Sequence, residues 1–326
     1  MFKGLERMLR EKLFSQVYIS FNVDKNDLSI QVLRIKNSQV KEKFYKMFET
    51  KNGEIPIQAL KIARTYTQKY PYTYFSAMSK AKEIVCEKSV FEQLKLENPK
   101  EDYRVCEINQ KYCAYIESKD FLKDFKRFKI QDIDYLFSPF NIIYRFVYDS
   151  LESRPSLYLL MERSRVYFLI ADKKEIFLAK SVFLEEQPEV FLQSSPDESM
   201  EVKNEMIESF LSEIQEDIDN LEEAMNLDGV QDNGAEKPEE NAQNLIEDLT
   251  NIPIIADILQ ENLRNVYSSK DIDFVEKVVL LDSCQIHQKA LLHLQEYLMM
   301  EVSKLTFSLV EQLNMLARIE NDEHAL

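Results

Sequence analysis

The chain has 326 residues, 45% of them apolar, enough to bury a core in two domains or one bilobed body. No apolar run approaches the roughly 18 to 20 residues that cross a bilayer, and the opening MFKGLERMLREKLF lacks a signal peptide's uninterrupted apolar region, so a cytoplasmic location is expected. The formal charge of −16 belongs to one segment: residues 194–250 hold 18 acidic residues against Lys203 and Lys237, while the remaining 39 acidic and 39 basic residues cancel, leaving no electrostatic footprint for nucleic acid.

In chain order, residues 2–14 space Phe2, Leu5, Met8, Leu9, Leu13 and Phe14 as one face of a short basic helix, suited to packing on its own domain or to a membrane surface. Period-two alternation predicts strands near 17–24, 28–35 and 39–45, a three-stranded meander whose last turn is KNSQ. Pro56 marks a helix start ahead of Ile57, Leu60, Ile62 and Ala63. YTYFSAMS then reads as a strand, EDYRVCEINQKYCAYIES as a hairpin that brings Cys106 and Cys113 near each other, KDFLKDFKRFK as a helix, IDYLFSP as a strand ended by Pro139, and FNIIYRFVYDSL as a helix closing the first lobe. The meander returns in residues 156–184, with strands to Met161, near 165–171 and near 176–184. Two meanders about 140 residues apart predict two related lobes.

Within the acidic segment, Ile207, Leu211, Ile214, Ile218, Leu221 and Met225 are spaced four and three apart, a short heptad seam open to its own lobe or to a partner helix. The following DGVQDNGAEKPEENAQ reads as a mobile loop. A helix started by Pro253, the buried strand VEKVVLLDS, the helix QIHQKALLHLQEYLMMEV and a last strand or extension KLTFSLV complete an α/β lobe. The domains are therefore expected at 1–15 (basic helix), 16–153 (first lobe) and 154–326 (second lobe, containing the acidic helix and loop 194–250).

This layout resembles the actin-like ATPase fold, ribonuclease H-like in each lobe, and within it the PilM and GspL cytoplasmic-domain family of pilus assembly and type II secretion. The likeness spans roughly residues 15–310. Strands 17–35 resemble the family's first phosphate segment, 156–171 its second, and VEKVVLLDSCQIHQKALLHLQEYL its adenosine segment. Such turns need glycine so that backbone N–H groups reach the anion unobstructed, and a carboxylate for magnesium. Here the first turn is VDKND, with Asp24 near the acidic position and Lys25 facing the phosphate. The second is MERSR, with Glu162 in place of Asp-x-Gly. The third puts Asp282, Ser283 and Cys284 where the family has Gly-Gly. The four glycines, Gly4, Gly53, Gly229 and Gly234, all lie elsewhere.

The expectation is therefore a pseudo-ATPase without catalytic residues, cofactor or metal. The four cysteines, Cys86, Cys106, Cys113 and Cys284, lack metal-binding spacing and read as reduced thiols, and His287 and His293 read as surface or packing residues. The alternative is an actin-like ATPase in which Asp24, Lys25 and Glu162 still organise Mg-ATP. The resemblance implies a scaffold peripheral to the inner membrane, assembled as a homo-oligomeric ring or arc. It implies grip on the cytoplasmic tail of a PilN-like single-pass protein, with a PilO-like protein in the same complex. The machine would be a type IV pilus, a type II secretion or DNA-uptake system, or a flagellar motor. Residues 103–128, with Tyr115, Phe121, Phe125 and Phe128, are the expected tail-binding segment.

Overall fold

The computed structural model describes residues 12–50, 53–128, 133–184, 238–270 and 272–324. The expected basic N-terminal helix, the heptad seam 207–225 and most of the acidic loop lie outside these residues.

The first meander is β1 (Gln16–Asp24), β2 (Asp27–Lys36) and β3 (Gln39–Glu49). Asn37 and Ser38, both at positive φ, form the turn between β2 and β3, the primed geometry that matches the strands' twist. The helix α1 (Ile57–Lys69) leads to β4 (Tyr72–Met78), and β8 (Tyr135–Phe137) completes the sheet in the order β3-β2-β1-β4-β8. Inserted between β4 and β8 is a small unit: β5 (Ile84–Glu87), α2 (Lys88–Glu97), β6 (Tyr103–Glu107), β7 (Tyr112–Glu117) and α3 (Ser118–Phe125), its strands ordered β5-β7-β6. The expected hairpin is β6–β7, but its register sets Cys106 opposite Ala114 and Cys113 opposite Glu107, while on its other side Cys113 faces Cys86 of β5. All four cysteines are free thiols.

After α4 (Pro139–Val147), the second sheet repeats the first: β9 (Ser156–Met161), β10 (Arg165–Ala171) and β11 (Ile176–Phe183) form the meander. β12 (Lys277–Asp282) and β13 (Glu301–Thr306) extend it in the order β11-β10-β9-β12-β13. In each sheet the meander is antiparallel and the two added strands are parallel. The helix α5 (Pro238–Ser269) begins where a loop was expected and runs through Pro253, which is not its start. Proline's fixed φ is itself helical, so the cost there is a missing N–H donor and local crowding, which the helix carries because Leu249, Ile252, Ile255, Ala256 and Leu259 bury one face. α6 (Gln288–Leu298) follows β12, and α7 (Leu309–His324) closes the chain.

Alternation on the central strands explains the layering. Val17, Ile19 and Phe21 of β1 pack with Ala59, Leu60 and Ala63 of α1, whereas Tyr18 faces a core shared with the second lobe. Likewise Leu157, Leu159 and Met161 of β9 meet α5 and α6, and Tyr158 and Leu160 turn to the shared core. α4 and α7 contribute Phe140, Ile143, Leu313 and Leu316 to that core. The sequence placed residues 154–326 in one lobe, yet α7 returns to the first sheet. Asn314 accepts from Ser20 Oγ at 2.7 Å and donates to Gln31, and Asn321 donates to the Tyr18 hydroxyl at 3.0 Å.

Candidate functional site: the cleft between the lobes

β1 and β9 end side by side, so the β1–β2 and β9–β10 turns face each other across the cleft. The turn residues Lys25 and Asn26 both have negative φ, so this tight connection needs no glycine. The Asp24 carboxylate accepts from the Lys25 N–H at 2.8 Å. It also crosses the cleft, accepting from the Arg163 N–H at 2.6 Å, the Ser164 N–H at 3.1 Å and the Ser164 hydroxyl at 2.5 Å. Two successive N–H groups of a turn make an anion-binding concavity, and here its anion is Asp24. Burial raises the Asp24 pKa, but the Lys80 charge, the Ser164 hydroxyl and the N–H groups of Lys25 and Arg163 outweigh it and hold the carboxyl below its usual range.

Beneath this contact lies Lys80, 6% exposed, just past the end of β4. Its ammonium meets both Glu162 oxygens, at 2.5 and 2.6 Å, and Asn22 Oδ1 at 3.0 Å. Asn22 Nδ2 donates to Glu162 at 3.0 Å, the Lys80 N–H donates to Asp124 at 2.7 Å, and the Arg165 guanidinium donates to the Lys80 carbonyl. Glu162 is 1% exposed, and burial, with the Asp24 charge nearby, pushes its pKa upward against the pull of Lys80.

The third turn is satisfied in the same manner. Asp282 accepts from the N–H groups of Cys284 and Ile286 at 3.0–3.2 Å and pairs with Lys304. Asp248, from α5, accepts the His287 N–H at 2.9 Å and pairs with the Arg163 guanidinium, which also donates to the Cys284 carbonyl at 2.8 Å. Gln285, just past the Asp282–Ser283–Cys284 position that the resemblance aligned with Gly-Gly, has φ of 58° and supplies the left-handed residue of this turn.

Of the sequence candidates, Asp24 and Glu162 are brought together and Lys25 is not: its ammonium points outward to Glu247 at 2.9 Å. Two ion pairs, Lys80–Glu162 and Arg163–Asp248, lie within this cleft. His287 uses Nδ1 to accept the Lys289 N–H at the start of α6, and His293 lies beside Glu296. Sequence reasoning missed Lys80, Asn22, Arg163 and Asp248. A lysine two residues past the strand YTYFSAM, whose last four residues are buried, was the available signal.

The aromatic candidates divide. Phe128 is 5% exposed in the first lobe's core, and Phe125 packs against the same core. Tyr115 is half-buried against Phe91 and Tyr103, at ring distances of 5.0 and 5.7 Å. Phe121 is half-buried, stacked on Phe125 at 5.9 Å with the Arg104 guanidinium 5.7 Å from its ring. No described helix is long and apolar enough to cross a membrane.

Two family models match the chain, one described as Domain of unknown function (DUF8569) over residues 14–144 and one as Domain of unknown function (DUF8341) over residues 157–322. No curated protein sequence matches it significantly. Among solved structures, the PilM–PilN type IV pilus biogenesis complex aligns at a TM-score of 0.53 and 10% identity, covering 92% of this chain and 94% of that one. A Bacteroides thetaiotaomicron protein described as having an actin-like ATPase fold aligns at 0.48 and 10% identity, covering 93% and 96%. The ethanolamine utilization protein EutJ of Carboxydothermus hydrogenoformans aligns at 0.42 and 9% identity, covering 92% and 89%. The fold is actin-like, as the paired meanders implied.

Proposed function

The chain belongs to the DUF8341 family, and we propose that its actin-like body is a non-catalytic scaffold that binds the cytoplasmic tail of a single-pass inner-membrane protein. The observation carrying this reading is the internal satisfaction of the cleft. Asp24, Asp248 and Asp282 take the backbone N–H groups at the turns that an actin-like ATPase would offer to nucleotide, and Lys80 takes the place of a cation between carboxylates. Glycine-free turns and an ammonium in the cleft favour a body kept closed over one that opens around a ligand in each cycle.

The tail-binding part of the proposal draws on the structural likeness to PilM in its complex with PilN. In this chain β6 is an edge strand, paired to β7 on one side, with Arg104 and Val105 exposed and the half-buried Phe121 beside Arg104. An extended tail adding to that edge would gain backbone hydrogen bonds and an apolar contact. Peripheral membrane attachment and assembly as a ring or arc would follow from such a partner.

Titration calorimetry of the full chain with Mg-ATP is expected to show no saturable binding. Binding tighter than about 100 μM, lost in Asp24→Ala, would overturn the scaffold-only reading in favour of an actin-like body that still binds Mg-ATP. A photo-crosslinking residue at Val105 is expected to join the cytoplasmic tail of a single-pass membrane protein in cells, and the same residue at the exposed Ile57 is not. Crosslinks at Val105 only to soluble proteins would overturn the tail-binding role.

A further inference from the structure

Away from the cleft, three elements converge on a pocket of about 580 Å³: the β6–β7 turn with Lys111, α4 and its following turn with Tyr144, Arg145 and Tyr148, and the β10–β11 turn with Lys173 and Lys174. Its size is that of a small-molecule site. Four cations line it in a chain that carries −16 overall.

Two of the neighbouring acidic side chains, Glu175 and Asp172, are already used. Glu175 meets Lys111 at 2.6 and 2.7 Å and accepts from the Tyr112 hydroxyl, a contact that ties the inserted unit to the second lobe. Asp172 accepts the N–H groups of Lys174 and Glu175 at 2.6 and 2.7 Å, closing its own turn. Arg145, Lys173 and Lys174 are exposed and make no ion pair among the described residues. Three like charges held around one concavity by tertiary docking repel each other, and an anion of more than one charge relieves that repulsion.

We propose that this pocket binds a small phosphate-bearing polyanion. A phosphate concentrates up to about two charges and three acceptor oxygens in one group, so one or two of them meet three cations within a single pocket. Carboxylates would need several groups at matched spacing. The Arg145 guanidinium offers the planar fork suited to phosphate oxygens. Tyr148, 60% exposed, and Tyr144, its ring 5.8 Å away, provide an aromatic wall for the remainder of the ligand. The phosphate is that of a soluble compound or of a lipid headgroup.

Calorimetry of the full chain with sodium tripolyphosphate tests the soluble source, and co-sedimentation with phosphatidylglycerol vesicles tests the headgroup. Saturable binding in either arm, weakened by at least about tenfold in Arg145→Glu and in Lys173→Glu with Lys174→Glu, supports the site. Tripolyphosphate binding identifies the soluble source, and vesicle binding alone identifies the headgroup. The pair Lys41→Glu with Lys61→Glu, on exposed positions of the first lobe, makes the same change in net charge as the Lys173–Lys174 pair and twice that of Arg145→Glu, and is expected to leave binding within a factor of about three. Binding in neither arm, citrate binding as tightly as tripolyphosphate, or equal weakening by the control pair would overturn the proposal. Circular dichroism of each variant excludes loss of fold as the cause.

Discussion

Lys80 and Glu162 are a buried pair whose members depend on each other. Removing one charge strands the other in a poorly solvated place, so Lys80→Met is expected to destabilise the chain by about 3–5 kcal/mol in urea denaturation. The double variant Lys80→Met with Glu162→Gln should recover most of that loss, and a double variant no more stable than Lys80→Met would show that the pair does not act as a unit. A second buried carboxyl has an opposite lesson. Burial, reinforced by Asp124 and opposed by the Ser138 and Ser79 hydroxyls, pushes Glu83 up to about 7, and one of its oxygens, Oε2, has no hydrogen-bond partner. Its folded pKa exceeds its unfolded value, so the folded chain binds the proton more tightly. The stability it contributes is complete below the unfolded pKa of about 4.3 and is lost as pH rises through about 7. Glu83→Gln is therefore expected to flatten the fall in melting temperature between pH 5 and 8, and an unchanged slope would exclude Glu83 as its source. Asp24 behaves conversely: its folded pKa is lowered, so its contribution is present at neutral pH and lost in acid. Asp24 and Glu162 were legible because each ends a strand at a turn. Lys80 was not, because its partners Glu162 and Asn22 lie 82 and 58 residues away in the chain.

Among the elements, the strands of both meanders were legible, since β1 and β9 bury alternate residues in two different cores and carry that period openly. The terminal helix α7 was not recognised. Its apolar positions Leu309, Leu313, Leu316 and Ala317 are interrupted by Asn314, which reads as polar surface but is 1% exposed and bonded to Ser20 and Gln31. A buried asparagine is stable only because partners on β1 and β2 meet it, and nothing local announces them. Leu313, fully buried in the core shared by the lobes, gives the matching prediction. Leu313→Ala is expected to cost about 2–5 kcal/mol and to lower a single unfolding transition. Two separated transitions would show that α7 stabilises one lobe alone.

For the whole molecule, the repeated sheet and the shared layer of α4 and α7 make the two lobes one body, locked further by the Asp24–Arg163, Lys80–Glu162 and Lys111–Glu175 contacts. The sequence by itself determined the paired meanders, the absence of glycine from the three turns and the confinement of net charge to one segment. Each of these is a local property of neighbouring residues: alternation, backbone freedom, composition. Only the tertiary structure decided what replaced the missing glycines, where the last helix returned, and which lysines and arginines gathered around one pocket. Those outcomes depend on side chains far apart in sequence meeting at one place, and long-range pairing leaves no periodic trace in the chain.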